Sequence, residues 1–451
     1  MRALRAGSLA ALLSACAVEE AGVPPPQDEL FFPTGLALHP TAPVLYVTNG
    51  NADLRYNKGT LLALNLDKAG PCLDLNRPCD PEECFEDPIG PGLRNCDEPR
   101  LLLGDAELGR KTIGSFAGEI EIRDGIPSGC PGWTARPARL YLLTRSDPSA
   151  VTWVDLGGDG TFLRSKEVEL AGEPFGTTLL QGCGGTRVMV THLSNGSVTL
   201  LADREDCNAG TMVASVQRDA DGVAALAASA SLFPVDRSGR RRAAAIAPRR
   251  PDECEGLVYV TSSTSFKVAT VRMDGLSGPL GVRLIEGPGF EVAPPLDDEA
   301  VLGERHGTDT RGIAFSPEGD RAWLATREPP ALMAVDTSLE HELPRNEPQA
   351  FVEVCPEPSL VRARPGPEGR PLVYVVCFVT SEIYVVDGDL MEVVDVIRTG
   401  RGPAGLEFDA TLPRAFVAHF AENTIGVIDL DPTSLRYHRL IATLGLPEPL
   451  L

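Results

Sequence analysis

The sequence predicts an all-β protein, a single propeller of seven blades with four antiparallel strands in each. Three observations predict it. A unit of short strands recurs along most of the chain. Turn-forming residues are abundant, with 45 glycines and 39 prolines. The hydrophobic fraction of 43% is enough for a buried core in 451 residues.

The unit is clearest near the two ends of the body. Phe32-Pro33-Thr34-Gly35-Leu36-Ala37-Leu38 leads into Val44-Leu45-Tyr46-Val47-Thr48-Asn49 and then Thr60-Leu61-Leu62-Ala63-Leu64-Asn65. Gly402-Pro403-Ala404-Gly405-Leu406-Glu407-Phe408 leads in the same order into Arg414-Ala415-Phe416-Val417-Ala418-His419 and Thr424-Ile425-Gly426-Val427-Ile428-Asp429. The template is a Pro-x-Gly turn, a short strand, a β-branched strand, a polar turn, and a strand ending in an acid or amide. It finds further copies around Pro174-Phe175-Gly176 with Arg187 to His192, around Val258-Tyr259-Val260-Thr261-Ser262, and around Thr310-Arg311-Gly312 with Ala322 to Arg327. Less regular copies centre on Leu140 to Arg145 and Val373 to Phe378. About seven copies result, each with room for a fourth, outer strand such as Ala350 to Val354 or Val393 to Arg398. One such sheet cannot bury both faces alone. Stacking the sheets around an axis buries them and leaves only short edges.

These residues resemble the YVTN-repeat β-propellers, a branch of the seven-bladed superfamily. The resemblance covers nearly all of Leu30 to Leu446, with Tyr46-Val47-Thr48-Asn49 intact and Tyr259-Val260-Thr261 nearly so. It speaks to fold and hardly to function. The copies average more residues than the ~40–45 of a compact blade, so insertions are expected in several, near 71–98, 233–254 and 287–308 within a propeller spanning 30–451.

The first residues read as an export signal. Arg2 and Arg5 precede a short Ala/Leu run, which closes on Leu13-Ser14-Ala15-Cys16. That word resembles a bacterial lipobox, which implies cleavage after residue 15 and lipidation of Cys16. Ala17 stands where lipoproteins kept at the inner membrane carry Asp, so the resemblance points to the outer membrane. Residues 17–29, with Pro24-Pro25-Pro26 and several acids, read as a tether. The net charge of −22 disfavours nucleic acid and anionic lipid surfaces, leaving the lipid anchor as the membrane attachment. A monomer is expected.

The chain has 11 cysteines, leaving an even number after Cys16, which favours disulfides in an exported protein. In a four-stranded blade the strands run a, b, c, d from axis to rim. The b–c turns and d–a connections share one end, and the a–b and c–d turns the other. Cys355 follows a d strand and Cys377 ends the next b strand, so they are a candidate pair. Cys183 and Cys207 flank adjacent strands of one blade and are another. Cys72, Cys79, Cys84 and Cys96 lie in one acidic insertion, a disulfide-stapled loop with zinc ligation as the alternative.

The last residue of each b strand faces the b–c end. The template places Asn49, Arg145, His192, Ser262, Arg327, Phe378 and His419 there, a candidate ligand-binding ring. Two Arg and two His on an acidic protein suit an anion. Two His also begin a metal site, though a third ligand is wanted, and no metal is expected. The bland alternative is that these residues merely open polar turns. The c strands end at Asn65, Asp155, Asp203, Arg272, Asp336, Asp387 and Asp429, where an acid is best explained by bonds to nearby backbone N–H groups. The basic run Arg237, Arg240, Arg241, Arg242, Arg249, Arg250 is placed in an a–b insertion. Motifs for covalent haem, a nucleophile elbow, a zinc-protease helix or a phosphate loop are all missing, so no cofactor or catalytic residue is expected. The reading is a non-catalytic binding or scaffold lipoprotein of the cell envelope, whose partner is an envelope protein, a glycan or a small anionic ligand. The alternative is a lactonase-like hydrolase using Arg145, His192, Arg327 and His419.

Overall fold

The computed structural model describes residues 22–445 apart from 74–84, 87–92, 105, 126–136, 171, 181–185, 205–210, 214–228, 230, 237, 253–256, 275–282 and 293–308. Seven four-stranded antiparallel sheets surround an axis. From axis to rim, blade 1 is Pro33–Leu38, Val44–Asn49, Gly59–Asn65 and Arg110–Ile113. Blade 2 is Ile120–Arg123, Ala138–Thr144, Ala150–Leu156 and Phe162–Glu169. Blade 3 is Pro174–Leu180, Thr186–His192, Val198–Arg204 and Thr211–Val213. Blade 4 is Ala243–Pro248, Val258–Ser262, Lys267–Asp274 and Arg283–Glu291. Blade 5 is Thr310–Phe315, Arg321–Arg327, Pro330–Asp336 and Glu347–Glu353. Blade 6 is Pro358–Pro365, Pro371–Cys377, Glu382–Asp387 and Glu392–Arg398. Blade 7 is Pro403–Phe408, Arg414–His419, Thr424–Asp429 and Arg439–Leu444. Every b strand is packed on both faces, so it reads as an almost unbroken apolar run. Val44–Asn49 is buried throughout, whereas the rim strand Glu392–Arg398 is largely exposed.

The structure gives each letter of the Tyr-Val-Thr-Asn word a separate task. The tyrosine leaves its own sheet and reaches the outer half of the next blade. Tyr46 Oη donates to the Gly160 carbonyl at 2.7 Å, and Tyr259 Oη lies 2.7 Å from Asn346 Oδ1. Tyr374 Oη lies 3.1 Å from His438 Nε2, and Trp323, in the same place in blade 5, aims Nε1 at the Gly388 carbonyl at 3.3 Å. The valine packs in the core between blades. The threonine ties two inner strands together. Thr48 Oγ1 accepts the Gly35 N–H at 2.8 Å and donates to the Gly118 carbonyl of blade 2 at 3.0 Å. Thr191 does the same with Gly176 and Ala244 at 2.9 and 2.6 Å, and Thr261 with Ala245 and Thr310 at 3.0 and 2.9 Å. The asparagine closes its own hairpin, with Asn49 Nδ2 donating to Thr60 Oγ1 at 2.8 Å.

The Pro-x-Gly turn has a matching reason. The pairing of inner strand to b strand slips at its start, a β-bulge, in blade 1 between Pro33 and Leu36 and in blade 7 between Pro403 and Leu406. The neighbouring blade's backbone lies against that bulge. A Cβ on Gly176 would sit 2.7 Å from the Ala244 carbonyl oxygen, and one on Gly405 2.5 Å from that of Thr34. Only glycine fits.

The ring closes between blades 7 and 1. The Phe32 N–H donates to Asn423 Oδ1 at 2.8 Å. The blade 1 insertion adds a second tie, because its segment Arg94–Cys96 pairs in parallel with the blade 7 rim strand. Cys96 is bonded to Cys72 in the short helix Leu66–Leu73, and both pack with Leu62, Val427 and Leu444 in one core. Cys355 and Cys377 form the second disulfide among the described residues. Cys183, Cys207 and Cys16, the residue expected to be lipidated, lie outside them.

The basic run is placed differently from the sequence expectation. Ala243–Pro248 is the inner strand of blade 4, so Arg240, Arg241 and Arg242 precede it at the b–c end, and only Arg249 and Arg250 follow it at the a–b end. The c-strand acids serve their turns. Asp387 Oδ1 accepts the N–H groups of Asp389 and Leu390, and Asp336 Oδ1 accepts that of Ser338. Asp155 instead forms a buried ion pair with Arg139 at 2.6 Å.

Candidate functional site at the b–c end

The strand register divides the seven ring residues into two sets. Asn49, His192, Ser262 and His419 each pair with the first residue of their blade's inner strand. In blades 5 and 6 that position belongs to Thr326 and Cys377, so Arg327 and Phe378 come one residue later. In blade 2 Arg145 follows the last b-strand residue, Thr144. Side chains alternate along a strand, so one step reverses the direction.

The first set is spent inside the blades. His192 is 1% exposed and its Nε2 lies 2.8 Å from Thr199 Oγ1 on the facing strand. His419 is fully buried, with Nδ1 2.9 Å from Thr424 Oγ1 and Nε2 accepting the Gly400 N–H at 3.0 Å. Burial pushes His192 down to about 4 and His419 to about 3, so both are neutral at pH 7. Ser262 Oγ donates to the Arg242 carbonyl at 2.7 Å. The two histidines make the same hairpin closure that Asn49 makes in blade 1. The two imidazoles do not meet.

The second set gathers with residues that begin the inner strands. Arg145 Cζ lies 5.5 Å from the centre of the Phe175 ring and 5.9 Å from that of Phe116. Arg311 Cζ lies 5.9 Å from the Phe175 ring and is paired with Asp309 at 2.5 Å. Arg327 reaches Asp309 at 3.6 Å and Glu357 at 3.9 Å. Arg145 has no ion pair among the described residues. Burial lowers its pKa from the ordinary guanidinium value, Glu173 opposes this, and Arg311 adds to it. Arg327 is lowered in the same way by burial and by Arg311. A guanidinium remains charged at neutral pH regardless. An aromatic sector continues around the end, where Phe378 lies 5.7 Å from Phe420 and Phe420 5.1 Å from Phe32. Arginine and phenylalanine side chains share this surface, with Arg311 and Arg327 paired to Asp309 and Glu357, and Arg145 is the guanidinium whose fork suits a planar or oxygen-rich anion.

Sequence reasoning missed Arg311, Phe175 and Phe116. A usable signal existed for two of them. Phe175 and Arg311 occupy the middle place of the turn word, in Pro174-Phe175-Gly176 and Thr310-Arg311-Gly312. Because that turn opens the innermost strand, its middle residue stands beside the axis. Among the described residues no group of three His, Cys, Asp or Glu is arranged to hold a metal ion.

The chain is thus a seven-bladed β-propeller whose b–c end gathers arginine and phenylalanine side chains. Among solved structures it is similar to a protein from Lactobacillus plantarum, at 13% identity and a TM-score of 0.51, over 83% of this chain and 86% of that one. It is also similar to a candidate 6-phosphogluconolactonase from Bacteroides fragilis, at 14% identity and a TM-score of 0.52, over 92% and 97% of the two chains. A second such candidate, from Bacteroides uniformis, matches at 12% identity and a TM-score of 0.51, over 92% and 99%. At these identities the likeness is one of fold. No family model matches the chain, and no curated protein matches it.

Proposed function

We propose that this propeller is a non-catalytic binding protein of the cell envelope, anchored through a lipidated Cys16, that takes an anionic ligand or an acidic partner surface at its b–c end. The observation that supports this reading is Arg145. Its guanidinium lies near two phenylalanine rings, with Arg311 sharing one of them, and has no ion pair among the described residues. Such a group offers its N–H fork to a carboxylate, phosphate or sulfate at little reorganisation cost. The hydrolase alternative draws no support from the histidines, since a buried imidazole held by a threonine of its own hairpin is not placed to exchange protons with a substrate.

The test is affinity capture of the tethered protein from its native envelope, with and without Arg145→Ala and Arg311→Ala. Loss of the captured ligand in these variants is expected, and full retention overturns the assignment to the b–c end. Cys16→Ser should move the protein from the membrane to the soluble fraction. Unchanged fractionation refutes the anchor.

A further inference from the structure

The described residues begin at Gly22, and the segment that starts there is fastened to the b–c turn of blade 1, residues 50–58. The Asn57 N–H donates to the Val23 carbonyl at 2.9 Å. Asn49 Nδ2 donates to the Glu29 carbonyl at 3.0 Å, and the Phe31 ring meets that of Tyr56 edge-on. From Cys16 to Gly22 the chain spans at most about 20 Å even when fully extended. With Cys16 lipidated, as proposed above, that length holds the b–c turn of blade 1 close to the bilayer.

The same corner carries an apolar surface. Phe378, Phe420 and Phe32 form a row across the b–c ends of blades 6, 7 and 1, with successive ring centres 5.7 and 5.1 Å apart. Val379, beside Phe378, is 60% exposed, and Leu54 in the blade 1 turn is 58% exposed. Leu54 stands at φ +57°, a left-handed conformation that Gly or Asn fills more easily. Neither its backbone nor its burial accounts for a leucine there. Charges at the margin are paired, Arg55 with Asp53 at 2.7 Å and Arg401 with Glu422 at 3.1 Å. Apolar side chains gathered within a polar rim mark an interaction face. Exposure alone does not choose this end, because Leu390, Leu412 and Leu435 are exposed at the a–b end. The place where the chain enters does choose it.

We infer that Phe378, Val379, Phe420, Phe32 and Leu54 form a docking face that lies on the bilayer holding the anchor, with these side chains entering its headgroup layer. The inference rests on the lipidation of Cys16. The contact is apolar, so it needs no anionic lipid, which the net charge of −22 would repel. In this pose the a–b end points away from the membrane.

The test places a tryptophan reporter in the full lipidated chain, reconstituted in phosphatidylcholine vesicles with and without brominated acyl chains. The wild-type chain, with three tryptophans, sets the background. Phe420→Trp is expected to shift its emission to the blue and to lose intensity to the bromines. Leu435→Trp, on the same blade at the a–b end, should do neither. Adding Leu54→Asn and Val379→Asn to Phe420→Trp should restore most of the lost intensity. Flotation of the vesicles reads the anchor separately. Vesicles that float without the protein refute the lipidation and this inference with it. Protein that floats while Phe420→Trp is quenched no more than Leu435→Trp overturns the docking face and leaves the anchor standing. Hydrogen exchange needs no reporter: amides of residues 51–57 and 378–381 should exchange more slowly in the vesicle-bound wild type than in soluble Cys16→Ser. Equal rates overturn the proposal even if the tryptophan variants fail to fold.

Discussion

Replacing the threonine of the Tyr-Val-Thr-Asn word by valine tests whether the repeat is held by its polar atoms or only by its apolar ones. Thr48→Val keeps shape and volume nearly unchanged and removes one hydroxyl. That hydroxyl is fully buried, accepts from Gly35 N at 2.8 Å and donates to Gly118 O at 3.0 Å. Each bond contributes about 1 kcal/mol net, and leaving a buried donor and a buried acceptor unpaired adds about 1–3 kcal/mol apiece where no water reaches them. An overall loss of about 2–4 kcal/mol is therefore expected. Thr191→Val and Thr261→Val break the same pair of bonds in blades 3 and 4 and act as replicates. The exposed Thr411, whose hydroxyl bonds only Asp409 in a surface turn, is the control and should change stability by less than about 0.5 kcal/mol. Urea denaturation followed by both tryptophan fluorescence and circular dichroism measures the difference and checks that the transition is a single one. If all three core variants stay within about 0.5 kcal/mol of wild type, the threonines do not tie the blades and the account of the motif is wrong.

Further outcomes follow from the same contacts. Gly176→Ala places a Cβ 2.7 Å from the next blade's carbonyl and should cost more than about 2 kcal/mol. Gly158→Ala, with nothing within 4 Å of its Cβ, should be nearly silent in the same melts. Cys96→Ser opens a loop spanning a sequence separation of 24 residues and should lower stability by about 3.5 kcal/mol on the chain-entropy model. Protease nicking should then appear first in the insertion, and an unaltered cleavage pattern would show that the tie to blade 7 is idle. Burial pushes His419 down to about 3, below an unfolded value of about 6.5. The unfolded chain therefore binds more protons between those limits, and stability is lost as pH falls through that window, by up to about 1.4 kcal/mol per unit. His419→Asn reproduces the Asn49 hairpin bond and should flatten that part of the slope; identical slopes for variant and wild type from pH 4 to pH 7 would rule out the histidine's role.

What was legible in the sequence was whatever one blade states about itself. Pro33-Thr34-Gly35 and Tyr46-Val47-Thr48-Asn49 are contiguous words with local geometry, so they specify the unit wherever it recurs. The Cys355–Cys377 disulfide was legible for the same reason, because the order of strands puts both residues at one end of adjacent sheets. Two inner strands were hidden. Ile120–Arg123 lacks the Pro-x-Gly opening and alternates glutamate with isoleucine, and Ala243–Pro248 is flanked by arginines that read as a charged loop. Missing them put Arg240 to Arg242 at the wrong end and left Phe116 unnoticed. The bond from Arg362 to Glu119 joins residues 243 apart, and only closure of the ring creates it. The ring of seven b-strand residues was set one step out in blades 2, 5 and 6. A single residue reverses a side chain's direction, and the b-strand words of those blades do not mark which residue pairs with the start of the inner strand.

That one-residue offset has a chemical meaning. The positions that match the motif are saturated: the tyrosine and threonine bond the next blade, and the asparagine or histidine bonds its own hairpin. The threonine bond ties the seams of blades 1, 3 and 4, while blades 2, 5, 6 and 7 carry Leu143, Ala325, Val376 and Ala418 at that place, and a residue so occupied has little left to offer a ligand. The residues adjoining the motif carry no such duty. The middle of the Pro-x-Gly turn and the first residue past the b strand vary freely, and they stand at the b–c end beside the axis. Here they are Phe175 and Arg311 in the first place, and Arg145, Arg327 and Phe378 in the second. A repeat that fixes its letters for cohesion thereby frees their neighbours for recognition, so in this chain specificity is to be sought one residue away from the conserved-looking word.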